Sequence, residues 1–172
     1  MTSRCVWDDI VGQQAATRML KTAVAAGAVT HAYLFVGPPG VGKKPAAKAL
    51  ACAIFCDDNG CGTCHGCLRI KRGAHPDIHI LTPQGVAGWL LPQVHQVLHD
   101  VGLASVEGGR RVYIFERADM FNHESANAML KTLEEPPPGV VFVLLADEAE
   151  AVLPTVRSRC QIVRFRPVPR PT

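Results

Sequence analysis

Apolar and polar positions divide the chain into two kinds of segment. Some short segments are largely apolar at consecutive positions, which is typical of strands covered on both faces of a sheet. Five strands are predicted on this basis: Ala32–Val36, Ile78–Thr82, Val112–Phe115, Val140–Leu145 and Gln161–Phe165. The first of them runs directly into a loop rich in glycine and proline, which indicates that it ends there.

Between the strands, apolar residues recur three and four positions apart or alanine predominates, as in α-helices. Four helices are predicted: Gln13–Ala26, Ala46–Phe55, Trp89–Val101 and Ser125–Glu135. We expect Gly27 to follow the end of the first helix and Ser125 to cap the start of the last. Because strands and helices alternate, the pattern predicts an α/β domain whose parallel five-stranded sheet has helices on both faces.

The composition is that of a globular protein and leaves its partners open. The chain has 172 residues, enough for one domain with a buried core, and 48% of them are hydrophobic and 19% charged. The formal charge of +3 neither requires nor excludes a nucleic-acid partner. The N-terminal residues lack the apolar run of a secretory signal, and no segment reaches the roughly 18 apolar residues of a membrane helix. A cytoplasmic location is therefore predicted.

The C-terminal residues differ from the rest of the chain in their proline content. Pro167, Pro169 and Pro171 lie in a segment that builds no predicted element, which is typical of a linker. We therefore expect a domain over residues 1–166 and a linker over residues 167–172. The chain is expected to be a fragment of a longer protein.

The most specific motif is a glycine-rich run between the first strand and the second helix. Its residues are Gly37, Pro38, Pro39, Gly40, Val41, Gly42, Lys43 and Lys44. Two glycines five positions apart followed by lysine match the P-loop. Glycines let backbone N–H groups face phosphate, the helix directs its positive end there, and the lysine neutralises the β- and γ-phosphates. We predict a site for ATP or ADP rather than a glycine-rich turn without a ligand.

Two departures from the pattern of P-loop ATPases predict that hydrolysis is impaired. The residue after the lysine is normally Ser or Thr, whose hydroxyl binds Mg²⁺, and here it is Lys44. After the strand Val112–Phe115, Glu116 takes the first of two acid positions, but Arg117 takes the second and cannot act as a base. Asp119 has the wrong offset to replace it and is predicted to lie at a helix start or in solvent. Poor Mg²⁺ binding is therefore predicted.

A cysteine cluster is the second specific motif. Four of the seven cysteines lie within twelve residues and are separated by glycines: Cys56, Cys61, Cys64 and Cys67. This spacing suits tetrahedral zinc, and an iron–sulfur centre is the alternative. Nothing redox-active accompanies the cluster, so we predict structural zinc in a module inserted at about residues 56–67. His65 could replace one sulfur, although four thiolates already complete the shell. The other three cysteines are predicted to be small buried hydrophobes: Cys5, Cys52 and Cys160.

Basic residues follow the cluster. Arg69, Lys71 and Arg72 could form a solvated face or contact nucleic acid. Because no aromatic residues are interleaved with them, we predict a solvated face. The turn His75–Asp77 is predicted to be structural rather than catalytic, since the residue before a proline has a restricted backbone.

Together, these motifs resemble the AAA+ domains of bacterial clamp loaders. The resemblance covers nearly the whole chain and rests on five features: Trp7–Gln13, His31–Phe35, Ala126–Pro137, the cysteine cluster with a shorter first gap than is usual, and Ser158-Arg159-Cys160. Two subunit types of this family share the features. Lys44, Arg117 and Ala146, which falls at the polar sensor position, favour the degraded delta-prime type over the gamma/tau motor type.

The resemblance implies a role for each motif. The P-loop would be a non-hydrolytic nucleotide site, the four cysteines would bind zinc, and Arg159 would act as an arginine finger in the ATP site of a neighbouring motor subunit. Considered without the resemblance, Arg159 would be an ordinary surface group. Residues 167–172 would lead toward a lid domain.

The resemblance also implies a function. The chain would belong to a stator without ATPase activity of its own, in a five-subunit ring with gamma/tau and delta subunits. That ring loads the sliding β clamp onto primed DNA for DNA polymerase III. Two alternatives remain open: an active ATPase motor (gamma/tau) subunit of the same complex, and a zinc-dependent nucleic-acid-binding module.

Overall fold

The computed structural model describes residues 5–103 and 109–169. Within them, the strands are β1 (Ala32–Val36), β2 (Ile78–Leu81), β3 (Arg111–Phe115), β4 (Val140–Ala146) and β5 (Gln161–Arg164). The α-helices are α1 (Gln14–Ala25), α2 (Lys43–Phe55), α3 (His65–Lys71), α4 (Leu91–Val101), α5 (His123–Glu134) and α6 (Pro154–Arg157). Short 3₁₀ helices occur at Val6–Asp9, Ala118–Met120 and Ala149–Ala151.

The five strands form one parallel sheet in the order β2-β3-β4-β1-β5. β1 lies between β4 and β5, with Ala32 opposite Phe142 and Tyr33 opposite Gln161. This sheet confirms the predicted fold class. After β1, the chain forms β2, β3 and β4 on one side of β1 and then adds β5 on its other side. The strand order thus reverses at β1, and ligands of α/β sheets bind in the crevice at such a point, beyond the carboxyl ends of the strands.

Helices cover both faces of the sheet. On one face, α1, α2 and α3 pack against the strands, with Leu20 and Leu50 in the same buried cluster as Phe35. On the other face, α4, α5 and α6 pack against the strands, with Met129 in the same cluster as Phe142. Neighbouring residues of a strand point to opposite faces, and both faces are covered. The central strands are therefore apolar at every position.

The two edge strands are less buried than the sequence pattern predicted. β1 and β3 are buried at all five positions, whereas every residue of β2 is only partly buried. In β5, Gln161 and Arg164 are exposed. An edge strand has a neighbour on one side only, and the covering helices reach it incompletely.

The start of α5 differs from the prediction. The helix begins at His123, and the capping residue is Asn122, whose Oδ1 accepts a hydrogen bond of 2.8 Å from the Ser125 N–H. The prediction that Ser125 caps the helix is wrong, because this side chain is fully buried and its hydroxyl donates to the carbonyl of Trp89 at 3.4 Å. Gly27 follows α1 with φ of +64°, as expected for a glycine after a helix end.

The helix α3 was not predicted from the sequence. It begins within the cysteine cluster, where Cys64 serves as its N-cap and the Cys64 sulfur accepts from the Cys67 N–H. Sulfur is an unusual capping group, so the pattern of Ser, Thr, Asp and Asn that marks helix starts is absent. Every helix in residues 5–103 and 109–169 is too short or too polar to cross a membrane.

Candidate functional site

The P-loop segment joins the carboxyl end of β1 to the first residue of α2, at the crevice of the sheet. Gly40 and Gly42 have φ of +77° and +105°, a left-handed backbone that favours glycine. Gly37 is required for a different reason, since a Cβ atom there would lie 2.8 Å from Cβ of Phe165. The backbone shape of the loop therefore depends on glycine at these three positions, and side chains there would distort it.

The lysine of the P-loop is buried and donates hydrogen bonds to oxygen atoms of its own chain. Lys43 is 8% exposed. Its Nζ donates to the carbonyl oxygens of Gly37 and Ala146, the latter at 3.0 Å, and to Oδ1 of Asp147 at 2.8 Å. These oxygens compensate the charge of a buried ammonium. A phosphate that reached Lys43 would compete with the Asp147 carboxylate.

The sequence analysis did not identify Asp147 as a site residue. Asp147 directly follows β4, and β4 pairs with β1, so the carboxyl ends of the two strands lie side by side. That adjacency was a usable signal once the strand order was known. The backbone N–H of Asp147 donates a hydrogen bond of 3.2 Å to Oδ2 of Asp119. Asp119 therefore lies beside the cleft, within a 3₁₀ helix, rather than in open solvent.

Lys44, the residue after the P-loop lysine, forms an ion pair with Glu116 at the start of α2. Nζ of Lys44 lies 3.1 Å from Oε1 of Glu116, and the side chains are 45% and 21% exposed. Mg²⁺ prefers an octahedron of oxygen ligands at about 2.0–2.1 Å. Lys44 offers hydrogens instead of a lone pair, and its ammonium binds the one acid at the Mg²⁺-binding position. These residues do not fit Mg²⁺.

Arg117 follows Glu116 at the end of β3 and is exposed. Its backbone has φ of +54°, and its carbonyl accepts a 3.0 Å hydrogen bond from Nε1 of Trp89. Arg117 thus lines the cleft as a cation at the position where ATPases carry a second acid. Its guanidinium donates hydrogen bonds and cannot accept a proton from water.

These residues enclose a cleft of about 190 Å³. The walls come from the first turn of α2, from the residues after β3, and from Leu145 and Asp147 at the end of β4. Among the predicted P-loop residues, Gly40, Gly42, Lys43 and Lys44 line this cleft. Pockets for small molecules usually have about 300–1,000 Å³, so the cleft suits a polyphosphate better than a whole nucleotide.

Gln13 connects the P-loop to the chain after β5, and the sequence analysis assigned it no role of its own. It is 3% exposed. Its Nε2 donates to the carbonyls of Val41 at 3.1 Å and Arg166 at 2.7 Å, and its Oε1 accepts from the Arg166 N–H at 2.9 Å. A buried glutamine with all these partners holds the P-loop in place.

The four cysteines of the predicted zinc module converge. Their sulfur atoms lie within 4.8 Å of one another, and those of Cys56 and Cys64 are 3.9 Å apart. Sulfurs around a tetrahedral zinc are about 3.8 Å apart, given Zn–S bonds of about 2.3 Å. The donor set and its dimensions therefore fit a four-coordinate metal ion. His65 is not part of this group among the described residues.

Backbone N–H groups surround the sulfurs and favour the thiolate form. Cys61 Sγ accepts from the Thr63 N–H at 3.5 Å, from the Thr63 hydroxyl at 3.6 Å and from the Cys64 N–H at 3.2 Å. These bonds, the Thr63 N–H first, lower the pKa of the Cys61 thiol to about 6. At Cys67, which is fully buried, burial raises the pKa of the thiol. Metal binding would favour the thiolate there as well.

The other cysteines are separate from the cluster. Cys52 is buried and its pKa is raised to about 11 by that burial, and Cys160 is partly buried with a pKa raised by burial to about 12. Cys5 is also partly buried. The expectation of small buried hydrophobes is confirmed in full only for Cys52.

Arg159 lies between α6 and β5, far along the chain from the P-loop. Its Nε and Nη2 donate to Oε1 of Glu134, the former at 2.8 Å. Its Nη1 donates to the carbonyl of Thr155 at 2.6 Å and to the hydroxyl of Ser158 at 3.3 Å. The side chain is 30% exposed. All three nitrogens of the guanidinium are thus held in a fixed orientation at the surface.

Two lesser predictions are consistent with the structure. The imidazole Nδ1 of His75 accepts from the Asp77 N–H at 3.1 Å, and both residues are buried before β2, as in a structural turn. In the basic segment, Lys71 and Arg72 are exposed, and Nζ of Lys71 donates to the carbonyl of Gly62 at 3.2 Å.

Comparisons of sequence relate the chain to subunits of DNA polymerase III. Residues 12–169 match the family described as DNA polymerase III, delta subunit. The chain is 34% identical over 154 residues to the delta' subunit of Bacillus subtilis, with 88% of this chain and 46% of that protein aligned. It is also 34% identical over 165 residues to the gamma/tau subunit of Mycobacterium tuberculosis, with 94% and 28% aligned. The chain thus spans less than half the length of either relative.

Comparisons of structure support the fold. A DNA polymerase III gamma subunit-related protein from Thermotoga maritima aligns with a TM-score of 0.60 and 17% identity, over 90% of this chain and 46% of that one. The RuvB branch migration motor of the same organism aligns with a TM-score of 0.58 and 19% identity, over 95% and 48%. At such low identity the likeness concerns the AAA+ fold alone.

Proposed function

The chain belongs to the DNA polymerase III delta-subunit family of clamp-loader proteins, and from this premise we propose that it acts as a non-hydrolytic, delta-prime-type subunit. In this role it is a stator in the cytoplasmic ring formed with gamma/tau and delta subunits. The ring loads the sliding β clamp onto primed DNA for DNA polymerase III. The chain contributes a structural zinc module, a nucleotide site without hydrolysis, and an arginine finger.

The ion pair of Lys44 and Glu116 is the observation that carries this proposal. Hydrolysis by a P-loop ATPase needs Mg²⁺ held by a hydroxyl and an acid, and a second residue that orients the attacking water. Here the hydroxyl is replaced by an ammonium 3.1 Å from the acid, and Arg117 lies where the second acid would be. The hydroxyl and the second acid are both replaced, and the remaining acid is engaged by Lys44, so one reversion alone would not restore turnover.

Arg159 is proposed as the residue that acts on a neighbour. A guanidinium stabilises the charge of a transferring phosphoryl group when it is held in the correct orientation. Glu134 and Thr155 hold Arg159 in this way at the surface, where another subunit has access. The Glu134 carboxylate also screens its charge while the subunit is alone.

The complex provides the test of this role. We expect Arg159→Ala to lower the ATPase of a ring reconstituted with gamma/tau and delta subunits. An arginine finger contributes about 10³–10⁵-fold to kcat, so the site that receives it should become nearly silent. Arg157→Ala, two residues earlier, is the matched control and should leave turnover unchanged. Equal turnover of the Arg159→Ala ring and the wild-type ring would remove the proposed role.

An active motor subunit is the second candidate function, because the chain is as similar to a gamma/tau subunit as to a delta' subunit, at 34% identity. It predicts steady-state ATP hydrolysis by the purified protein. Turnover at the rates of typical ATPases, abolished by Lys43→Ala, would favour it over our proposal.

A zinc-dependent nucleic-acid-binding module is the third candidate function. It predicts tight binding of DNA by the protein alone, with an affinity that falls steeply as salt rises. Anisotropy titrations with primed DNA, repeated for Cys67→Ser, would detect such binding. We expect weak binding for both forms.

A further inference from the structure

The residues that would bind Mg²⁺ in a hydrolytic P-loop site form an ion pair in this chain. Lys44 stands where a Ser or Thr hydroxyl would bind the ion, and Glu116 stands where an acid would help to hold it. Nζ of Lys44 lies 3.1 Å from Oε1 of Glu116, and both residues line the cleft. One oxygen ligand is therefore missing, and the other is already bound by a cation.

This ion pair determines which form of a nucleotide the cleft can accept. An ammonium beside Glu116 repels a second cation, and its N–H donors cannot replace the lone pairs that Mg²⁺ requires. The same ammonium is a compact positive charge, which is suited to phosphate oxygens. Together with Lys43, it supplies two cations at the start of α2, where the helix dipole also favours an anion.

We propose that the cleft binds the polyphosphate of ATP or ADP in its metal-free form, with the Lys44 ammonium in place of Mg²⁺. The inference rests on the nucleotide site of the proposed function. Lys43 exchanges the carboxylate of Asp147 for a phosphate oxygen, and Asp147, whose side chain is 51% exposed, is then solvated by water. Glu116 keeps Lys44 beside the P-loop throughout.

A nucleotide bound in this way differs from one in a motor subunit. Without Mg²⁺ and without a base, it is retained rather than hydrolysed. It would therefore act as a permanent part of the domain, and its binding would not follow the hydrolysis cycle of neighbouring subunits.

Titration calorimetry with ATP and the purified protein tests the inference. We expect binding in buffer with EDTA. With MgCl₂ in excess, most ATP is in the metal complex, and the apparent affinity should fall in proportion to the metal-free fraction. The ordinary expectation for a P-loop site is the reverse, since Mg²⁺ strengthens binding there.

Three variants test which residues determine how ATP binding depends on Mg²⁺. Lys44→Thr restores the hydroxyl, so ATP binding should weaken at least about tenfold in EDTA and strengthen when MgCl₂ is added. Lys48→Thr is the matched control, because Lys48 lies one turn later on α2 and outside the cleft lining. It should behave as the wild type. Lys43→Ala should remove binding in both buffers.

The outcomes separate this inference from the proposed function. Wild-type binding that requires Mg²⁺ would overturn the metal-free site while leaving the P-loop a nucleotide site. Absence of ATP and ADP binding in both buffers would overturn the nucleotide site itself, and the Arg159 role would still be decided by the ATPase of the ring. Unaltered metal dependence in Lys44→Thr, in a variant whose unfolding midpoint matches the wild type, would also contradict the inference.

Discussion

The P-loop cleft and the cysteine cluster differ in where their charged groups find partners. In the cleft, Lys43 contacts Asp147 and Lys44 contacts Glu116, so each of these two lysines is matched by an anion of the same chain. In the cluster, four sulfurs lie within 4.8 Å of one another, and N–H groups and the Thr63 hydroxyl donate hydrogen bonds to them.

This difference predicts which site depends on a ligand to fold. Thiolates brought this close together repel one another, so folding of the module would be coupled to binding of the proposed metal ion. In the cleft, acids of the chain itself compensate the charges of Lys43 and Lys44. A phosphate-binding motif in the sequence therefore does not by itself show that the fold needs the ligand.

Loss of one metal ligand is expected to have the largest effect. Cys67 is fully buried, and Cys67→Ser would leave three thiolates around the metal. We expect the free energy of unfolding to fall by at least about 3 kcal/mol and the bound zinc, about one per wild-type chain, to be lost. Urea unfolding and metal analysis measure the two effects.

Cys5→Ser is the control, because Cys5 lies outside the cluster and is only partly buried. It should change stability by less than about 0.5 kcal/mol. An unchanged unfolding midpoint in Cys67→Ser, or iron in place of zinc, would contradict the proposed zinc module.

Removal of the Asp147 carboxylate from the cleft should have smaller effects, which are opposite in sign for stability and for ATP affinity. In Asp147→Asn, Lys43 keeps two carbonyl partners but loses its carboxylate. Because Asp147 is half exposed, we expect a loss of about 1 kcal/mol in stability. ATP should bind about tenfold more tightly, because phosphate no longer competes with a carboxylate.

Calorimetry and urea unfolding check both directions. Glu150→Gln, an exposed acid in the neighbouring 3₁₀ helix, should alter neither quantity. Weaker ATP binding in Asp147→Asn would mean that Asp147 supports the ligand, and the contrast between the two regions would then be wrong.

The smallest expected effect concerns Cys160, a partly buried cysteine outside the cluster. Burial raises the pKa of Cys160 to about 12 from an ordinary value of 9.0, whereas the pKa of Cys61 is lowered to about 6. A thiol with a raised folded pKa contributes stability that is complete below pH 9 and is lost as pH rises toward 12. We expect the contribution of the Cys160 thiol to the free energy of unfolding to fall by about 1 kcal/mol between pH 9 and pH 10.

Urea midpoints at pH 8 and pH 10 measure the effect. The alkaline loss of stability should be smaller in Cys160→Ala than in the wild type. Identical pH dependence of the two proteins would indicate that the Cys160 thiol is solvated and that its pKa is not raised by burial.

Much of the fold could be predicted because the signals are local. The apolar runs of β1, β3 and β4 are continuous since both faces of a central strand are buried. α3 was missed because its cap is a cysteine, and the start of α5 was misplaced because Ser125 and Asn122 are both good capping residues. Only packing decides which of two such residues is buried.

The P-loop, the cysteine cluster and the substitutions Lys44 and Arg117 were determined by the sequence itself. They depend on residue types at short spacings, which a single segment of chain contains. The match to the DNA polymerase III family extends over residues 12–169.

The tertiary structure alone decided which groups meet. Asp147 reaches Lys43 because β4 pairs with β1, Lys44 meets Glu116 because β3 ends beside the P-loop, and Gln13 holds Val41. These partners are separated by 28 to 104 residues along the chain. Charge compensation depends on distance in space, and a linear sequence carries no record of that distance until the strands are ordered.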